Sequence, residues 1–278
     1  MSFKTVFFTI GTDQDTADLD RVAAVCGELG AHLTVLVLGV AAPPPASPYG
    51  VISNDVWAGE IDQGQDAARA KAAEVTGILE KSGISFEVNP QFVDRATVTT
   101  LAARFARYAD ITFVAPHAAR AETQQDWVMN GALFESGRPV LLLPGTPFVF
   151  PPKGRVVLAW DASVEASKAV RDSIDLLARA ASVDAVLIDP VPSFDGHGPE
   201  PGADLAAYLA RHGVVTTIHR LPREGQEVGD ILRRTATDLG ADLIVMGGFG
   251  HSRLRQRFFG GTTSTMMKQV TIPVLMAH

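Results

Sequence analysis

The chain repeats its own layout once, and a repeat of this length dictates the architecture. The opening stretch "FKTVFFTIGTDQDTADLDRVAAVCGELGAHLTVLVLGV" and the stretch "RVVLAWDASVEASKAVRDSIDLLARAASVDAVLIDPV" from Arg155 share one grammar. Each begins with a β-rich apolar run, continues through a polar turn into a segment of helical period, and returns to a second apolar run. The later parts also correspond: "YADITFVAP" (Tyr108–Pro116) with "LGADLIVMGG" (Leu239–Gly248), and "GRPVLLLPG" (Gly137–Gly145) with "TIPVLMAH" (Thr271–His278). The unit is about 140 residues, long enough to close a core of its own. "PGTPFVFPPKG" (Pro144–Gly154), rich in proline and glycine, reads as the linker. This gives domains 1–150 and 151–278.

Within each unit the strand runs are Val, Ile, Leu and Phe without clean polar alternation, the pattern of strands buried on both faces. Helical stretches separate them. "LAAYLARHG" (Leu205–Gly213) and "VGDILRRTATDLG" (Val228–Gly240) place apolar residues three and four apart, and their closing glycines suit C-caps. Alternating β and α with short turns predicts two tandem, doubly wound α/β domains, each a parallel sheet of about five strands flanked by helices. Irregular loops are expected after the second strand of each unit, "AAPPPASPYGVISNDVW" and "PSFDGHGPEPG". His197, in the second of these, reads as a solvated loop histidine.

Composition narrows the function classes. Of 278 residues 46% are hydrophobic and 20% charged, the balance of a folded globular protein. The net charge of −7 without a long basic run argues against a nucleic-acid partner. No apolar run reaches the roughly 18–20 residues of a membrane helix, and the N-terminus lacks the core and cleavage site of a signal peptide. A cytoplasmic protein without a membrane partner is expected. Cys26 is the single cysteine, so it has no intramolecular disulfide partner, and it reads as a small buried apolar residue.

Chemistry concentrates in "GGFGHSRLRQRFFGGTTST" (Gly247–Thr265). It follows directly on the strand "DLIVM", which puts Gly247 at the carboxyl edge of the sheet, where open α/β sheets bind ligands. Glycine allows backbone amides to approach a ligand, and successive amides form a nest for anions. A helix starting near Thr262 would add its N-terminal amides and partial positive charge. Two glycine clusters, Gly247–Gly250 and Gly260–Gly261, would thus hold a polyphosphate from two sides. Arg253, Arg255 and Arg257 read either as a solvated basic loop or as phosphate neutralisers, and His251 as exposed. The stretch is neither a P-loop nor a dinucleotide fingerprint.

The spacing Gly247-x2-Gly250-x9-Gly260 resembles the glycine signature of the universal stress protein family. The resemblance covers the whole second half, including "VVLAWDASVEASKAV", "EGQEVGDIL", "ADLIVMGGFG" and "IPVLMAH". The first half resembles the family in layout and in "ADITFVAP" and "RPVLLLP". The chain is thus similar to a tandem member of the family. That resemblance implies an adenine-nucleotide alpha-hydrolase-like fold, packed as a pseudo-dimer, and ATP as a ligand. It implies contacts to the nucleoside from Asp161, just after the first strand, and from Ala159 two residues earlier. Leu187 in the second strand would lie against adenine. Phosphates would lie on Met246, Gly247, Gly250, Gly260, Gly261 and Thr262. Mg²⁺ would come only as a companion of the triphosphate. Two positions depart from the pattern: Gly261 stands where the family has a hydroxyl, and bulky Trp160 precedes Asp161.

The first half lacks the glycine signature. Gly11 occupies the Asp position, with Asp13 shifted, so this half is expected to be a structural partner that does not hold ATP in the family's manner. His117 reads as an ordinary loop histidine. No metal-ligand spacing and no nucleophile elbow occur, and Ser163 and Ser167 read as helix-capping residues. The expectation is a non-enzymatic stress-response protein that binds ATP as a regulatory ligand in its second domain. A nucleotide-free scaffold or a weak ATPase are the alternatives. "PVLLL" and "PVLMA" are the candidate strands for pairing between the repeats, and a homodimer or a protein partner stays open.

Overall fold

The computed structural model describes residues 3–41, 54–115, 124–150, 153–194, 196–248, 262–268 and 270–278. The chain divides into an N-terminal unit, chiefly Phe3–Val114 with 124–138, and a C-terminal unit, chiefly Pro139–His278.

The N-terminal unit alternates β1 (Thr5–Gly11), α1 (Ala17–Leu29), β2 (His32–Ala41), α2 (Asn54–Leu79), β3 (Phe86–Asp94), α3 (Arg95–Arg107) and β4 (Ile111–Val114). It ends in α4 (Gln124–Asn130), which runs on as a π-helical turn over Gly131–Glu135. Its strands lie in the order β3-β2-β1-β4, and every pair is parallel. The run Leu33–Leu38 in β2 is buried throughout, with the Thr34 hydroxyl donating to Glu87 Oε1 at 3.0 Å, as an inner strand covered on both faces requires. β3 lies at the edge of this order, and there its Pro90, which has no N–H to donate, is tolerated. The "NDVW" that closes the first expected loop is instead the opening turn of α2, a helix of 26 residues. Ala-rich spacing after it carries the helix on, a signal that the prolines upstream masked.

The C-terminal unit contains β5 (Val140–Leu142), β6 (Arg155–Ala159), α5 (Val164–Leu177), β7 (Ser182–Ile188), α6 (Ala203–Arg211), β8 (Thr216–Leu221), α7 (Val228–Asp238), β9 (Leu243–Gly247), α8 (Thr262–Lys268) and β10 (Val274–Ala277). Its strand order is β5-β10-β9-β6-β7-β8. All neighbours are parallel except β5 and β10, which run antiparallel with Leu141 opposite Leu275. Each repeat thus supplies five strands, and the two terminal strands pair as expected. The strand pairs described within each repeat are parallel as expected, and the antiparallel pair joins the last strand of one repeat to the last strand of the other. β5 completes the C-terminal unit because its fully buried Val140 and Leu141 face an equally apolar β10.

Helices start and stop where local chemistry dictates. Ser163 caps α5 by accepting the Ala166 N–H at 3.1 Å. Buried Ala166, Ala169, Val170, Ser173, Leu176 and Leu177 then form one stripe, which packs on β9 and β10. Gly213 and Gly240, with φ of 76° and 63°, end the two helices for which the sequence placed them. Cys26 is fully buried on α1, and burial pushes its thiol up to about 12.

Candidate functional site

Two strand ends in the C-terminal unit bring the expected residues together. β6 and β9 are hydrogen-bonded neighbours, with Leu158 in register with Val245. The chain leaves β6 towards β7 on one side, while β9 lies on the other, so the order reverses between them. That reversal is the switch point at which doubly wound sheets open a crevice. Ala159 is the half-buried last residue of β6, and Trp160 extends the pairing by donating its N–H to the Val186 carbonyl at 3.0 Å. Asp161 follows, exposed on the carboxyl edge. Its Oδ1 accepts the Ser163 N–H at 3.0 Å, which sets the turn into α5. Ser163, not Asp161, therefore caps the helix.

On the β9 side, Met246 is buried and Gly247 is half-buried at the strand end. A Cβ at Gly247 would stand 2.6 Å from the Ala166 nitrogen and 2.8 Å from the Glu165 carbonyl carbon. Glycine is required here because the first turn of α5 rests against the strand, whatever ligand is bound. The Gly248 N–H donates to the Ala277 carbonyl at 2.8 Å, and its own carbonyl lies 2.9 Å from His278 Nδ1. That amide is committed to the sheet and is not available to a ligand. Gly250, Gly260 and Gly261, together with His251, Arg253, Arg255 and Arg257, lie outside the described residues, as does His117. Thr262 is the half-buried first residue of α8, where the sequence predicts a helix to begin.

Leu187 lies in β7, in register with Arg220, and its side chain is fully buried. What a ligand meets at this strand end is therefore the chain beyond it, from half-buried Ile188 and exposed Asp189 onward. In that loop Ser193 and Gly198 form a two-way backbone bridge, at 3.2 and 2.9 Å. The expected solvated His197 is half-buried there, with Nδ1 enclosed and without a partner among the described residues.

The backbone marks the same edge in a way the sequence does not. Among the described residues, three that are not glycine have positive φ: Ala162 at 60°, Asp189 at 45° and Glu224 at 49°. They follow β6, β7 and β8, all at the carboxyl edge of the C-terminal unit, and none lies in the N-terminal unit. Left-handed backbone costs on the order of 1–2 kcal/mol per such residue, less for Asp. Strain of this kind persists where surrounding structure imposes it and clusters at functional sites. No single letter in the sequence announces it; a strand end followed by a polar turn is the nearest signal.

Part of the corresponding edge of the N-terminal unit, over β2 and β3, is occupied by the chain's own side chains. The Phe92 ring on β3 lies so close to Gly39 on β2 and Gly64 on α2 that a Cβ would stand 2.6 and 2.2 Å from it. After β1 the turn folds on itself: Gly11 N–H donates to Gln14 Oε1 at 2.7 Å, and Gln14 N–H to the Gly11 carbonyl at 3.2 Å.

A second polar cluster lies nearer the amino ends of the C-terminal strands. Buried Asp184 on β7 has Oδ1 2.7 Å from His219 Nε2 on β8 and Oδ2 3.4 Å from Arg155 Nε on β6. It ties three strands together away from the carboxyl edge. Among the described residues no group of three or more His, Cys, Asp or Glu side chains is placed to hold a metal. No helix among them is long and apolar enough to cross a membrane.

Comparison with known proteins finds a family match over the C-terminal region. Residues 153–278 match the universal stress protein family. A universal stress protein from Archaeoglobus fulgidus has the same fold, with a TM-score of 0.71 at 18% identity over 98% of this chain and 95% of that one. A Pseudomonas aeruginosa protein, provisionally described as a universal stress protein, has a TM-score of 0.60 at 17% identity over 99% and 93%. No curated protein sequence matches.

Proposed function

We propose, for a chain whose C-terminal half belongs to the universal stress protein family, that this half binds ATP as a regulatory ligand at the carboxyl edge of β6 and β9. The observation that carries the reading is the junction of three features at one switch point. Asp161 is exposed at the end of β6, the glycine signature begins at the end of β9, and the strained non-glycine residues flank them.

The residues fit the group in chemical terms. A carboxylate at Asp161 accepts hydrogen bonds from ribose hydroxyls. Amides beyond Gly248 and those of Gly250, Gly260, Gly261 and Thr262 would receive the phosphates. Mg²⁺ would enter with the triphosphate, held chiefly by phosphate oxygens and water. In this reading ATP acts as a regulatory ligand that switches the protein's contacts, and steady turnover is not expected. A cytoplasmic setting supplies ATP at concentrations that suit such a ligand.

One observation favours a second reading. Gly247 is explained by its contact with α5 alone, so the start of the signature does not by itself require a nucleotide. The second reading is a scaffold that keeps the fold without the ligand. Calorimetric titration with ATP decides between them, run on the wild type, Asp161→Ala and Gly250→Val. Saturable binding that both variants lose supports the switch, and no binding at millimolar ATP leaves the scaffold. Steady release of phosphate would point to an ATPase instead.

A further inference from the structure

A nucleotide is a linear object, and the order of the strands lays it out. If the phosphates occupy the β9 end at Gly247 and the sugar the β6 end at Asp161, the base continues along the order β9-β6-β7. Neighbouring strands stand about 4.8 Å apart, so the base falls over the end of β7, roughly 10 Å from Gly247 across two such spacings. Leu187 cannot receive it with its side chain, which is sealed within the sheet. The groups on offer come from the loop between β7 and α6.

Resting on the nucleotide reading above, we infer that Phe194 stacks on the nucleobase, with Val191 beside it. Phe194 is the most exposed large apolar side chain among the described residues, at 106%, and Val191 is 68% exposed. Val164, three residues after Asp161, is 81% exposed on the same edge. Water-facing apolar groups that follow two neighbouring strands, Val164 after β6 and Val191 and Phe194 after β7, are what an apolar ring could cover.

Hydrogen bonds tie the chain on either side of Phe194. The Ser193–Gly198 bridge closes its hairpin, and a Cβ at Gly196 would stand 2.5 Å from Ser193 Oγ. Arg220 Nε donates to the Pro201 carbonyl at 2.9 Å, and Asp189 Oδ1 accepts the Arg223 N–H at 3.0 Å. The strained φ of 45° at Asp189 sends the chain out of β7 into this loop. A phenylalanine ring has only two side-chain torsions to fix on stacking, and every base offers it a π face.

The test uses the whole chain with two probes, ATP and inorganic tripolyphosphate, titrated against wild type, Phe194→Ala and Phe194→Tyr. The expected result is that Phe194→Ala weakens ATP about tenfold, leaves tripolyphosphate unchanged, and is rescued by Phe194→Tyr. The inference is overturned if Phe194→Ala binds ATP as tightly as wild type, or if it weakens both probes equally. A wild type that binds neither probe overturns the nucleotide reading itself. A wild type that binds both, with no change in Phe194→Ala, overturns only the stacking role.

Discussion

The two carboxyl edges of this chain started from one layout and ended with opposite uses of a phenylalanine. In the N-terminal unit Phe92 turns inward and occupies the space between β2 and α2, where Gly39 and Gly64 make room for its ring. In the C-terminal unit Phe194 turns outward on a hairpin, and the edge beneath it keeps an exposed Asp161 and three strained residues. The helix after the second strand differs in step: α2 has 26 residues and packs along β2 and β3, whereas α6 has nine. A sheet edge is lost to ligands when its own side chains and helices satisfy it. The missing glycine signature in the first half is therefore only part of why that half is not expected to hold ATP.

The comparison can be broken at several points. The largest effect should come from Gly247→Val, because the added carbons meet the α5 backbone and not a movable side chain. A loss of about 3 kcal/mol in denaturant unfolding is expected; a neutral result would mean that α5 does not rest on β9. Next, Phe92→Ala should cost about 2 kcal/mol, below the usual range for a fully buried phenylalanine because the ring is only half-buried. Calorimetry on that variant should show no second ATP site, since Gly11 stands in place of Asp161 and the first half lacks the glycine signature. A new site would show that the ring alone closes the edge.

Smaller effects sharpen the C-terminal side. Asp161→Ala should weaken ATP about tenfold, roughly the worth of a hydrogen bond to a charged group, and should lower the unfolding midpoint less than loss of the Ser163 cap does. Ser163→Ala should do the reverse, lowering stability by about 1 kcal/mol with ATP affinity little changed. The smallest effect is in the N-terminal unit. The Thr97 hydroxyl, bonded to Asp94 at 2.7 Å, holds that exposed carboxyl below its usual range. Its contribution is therefore complete above the unfolded carboxylate value of about 4 and fades as pH falls through the lower folded value. Acid unfolding of wild type and Asp94→Ala should converge only there; convergence already at pH 6 would contradict the assignment.

Much of this was legible in the letters. The repeat, the ten strands, the helices beginning near Thr262 and ending at Gly213 and Gly240, and the capping role of Ser163 all follow from local pattern and local chemistry. What was hidden depends on residues that meet only in space. Phe92, Gly39 and Gly64 come from three elements, and none signals the others along the chain. Gly247 reads as a ligand residue until α5 is placed against it. The left-handed turns at Ala162 and Asp189 are imposed by the strands on either side, against the preference of alanine at least. The start of α2 was obscured because the prolines before it resemble a loop that continues.

The antiparallel pair of β5 and β10 has a practical consequence for dissecting the chain. The compact C-terminal unit begins at Pro139, ahead of the linker, because Val140–Leu142 lie against Val274–Met276. A fragment cut at Pro151 would contain the whole glycine signature yet leave β10, with its buried Leu275 and Met276, as a bare edge open to strand-to-strand self-association. A fragment starting at Pro139 carries its own cover. Of two pieces that differ by a dozen residues and share every ligand-binding position, the longer should self-associate less through β10, which a sizing column run on both, with and without a β10 edge charge, would read.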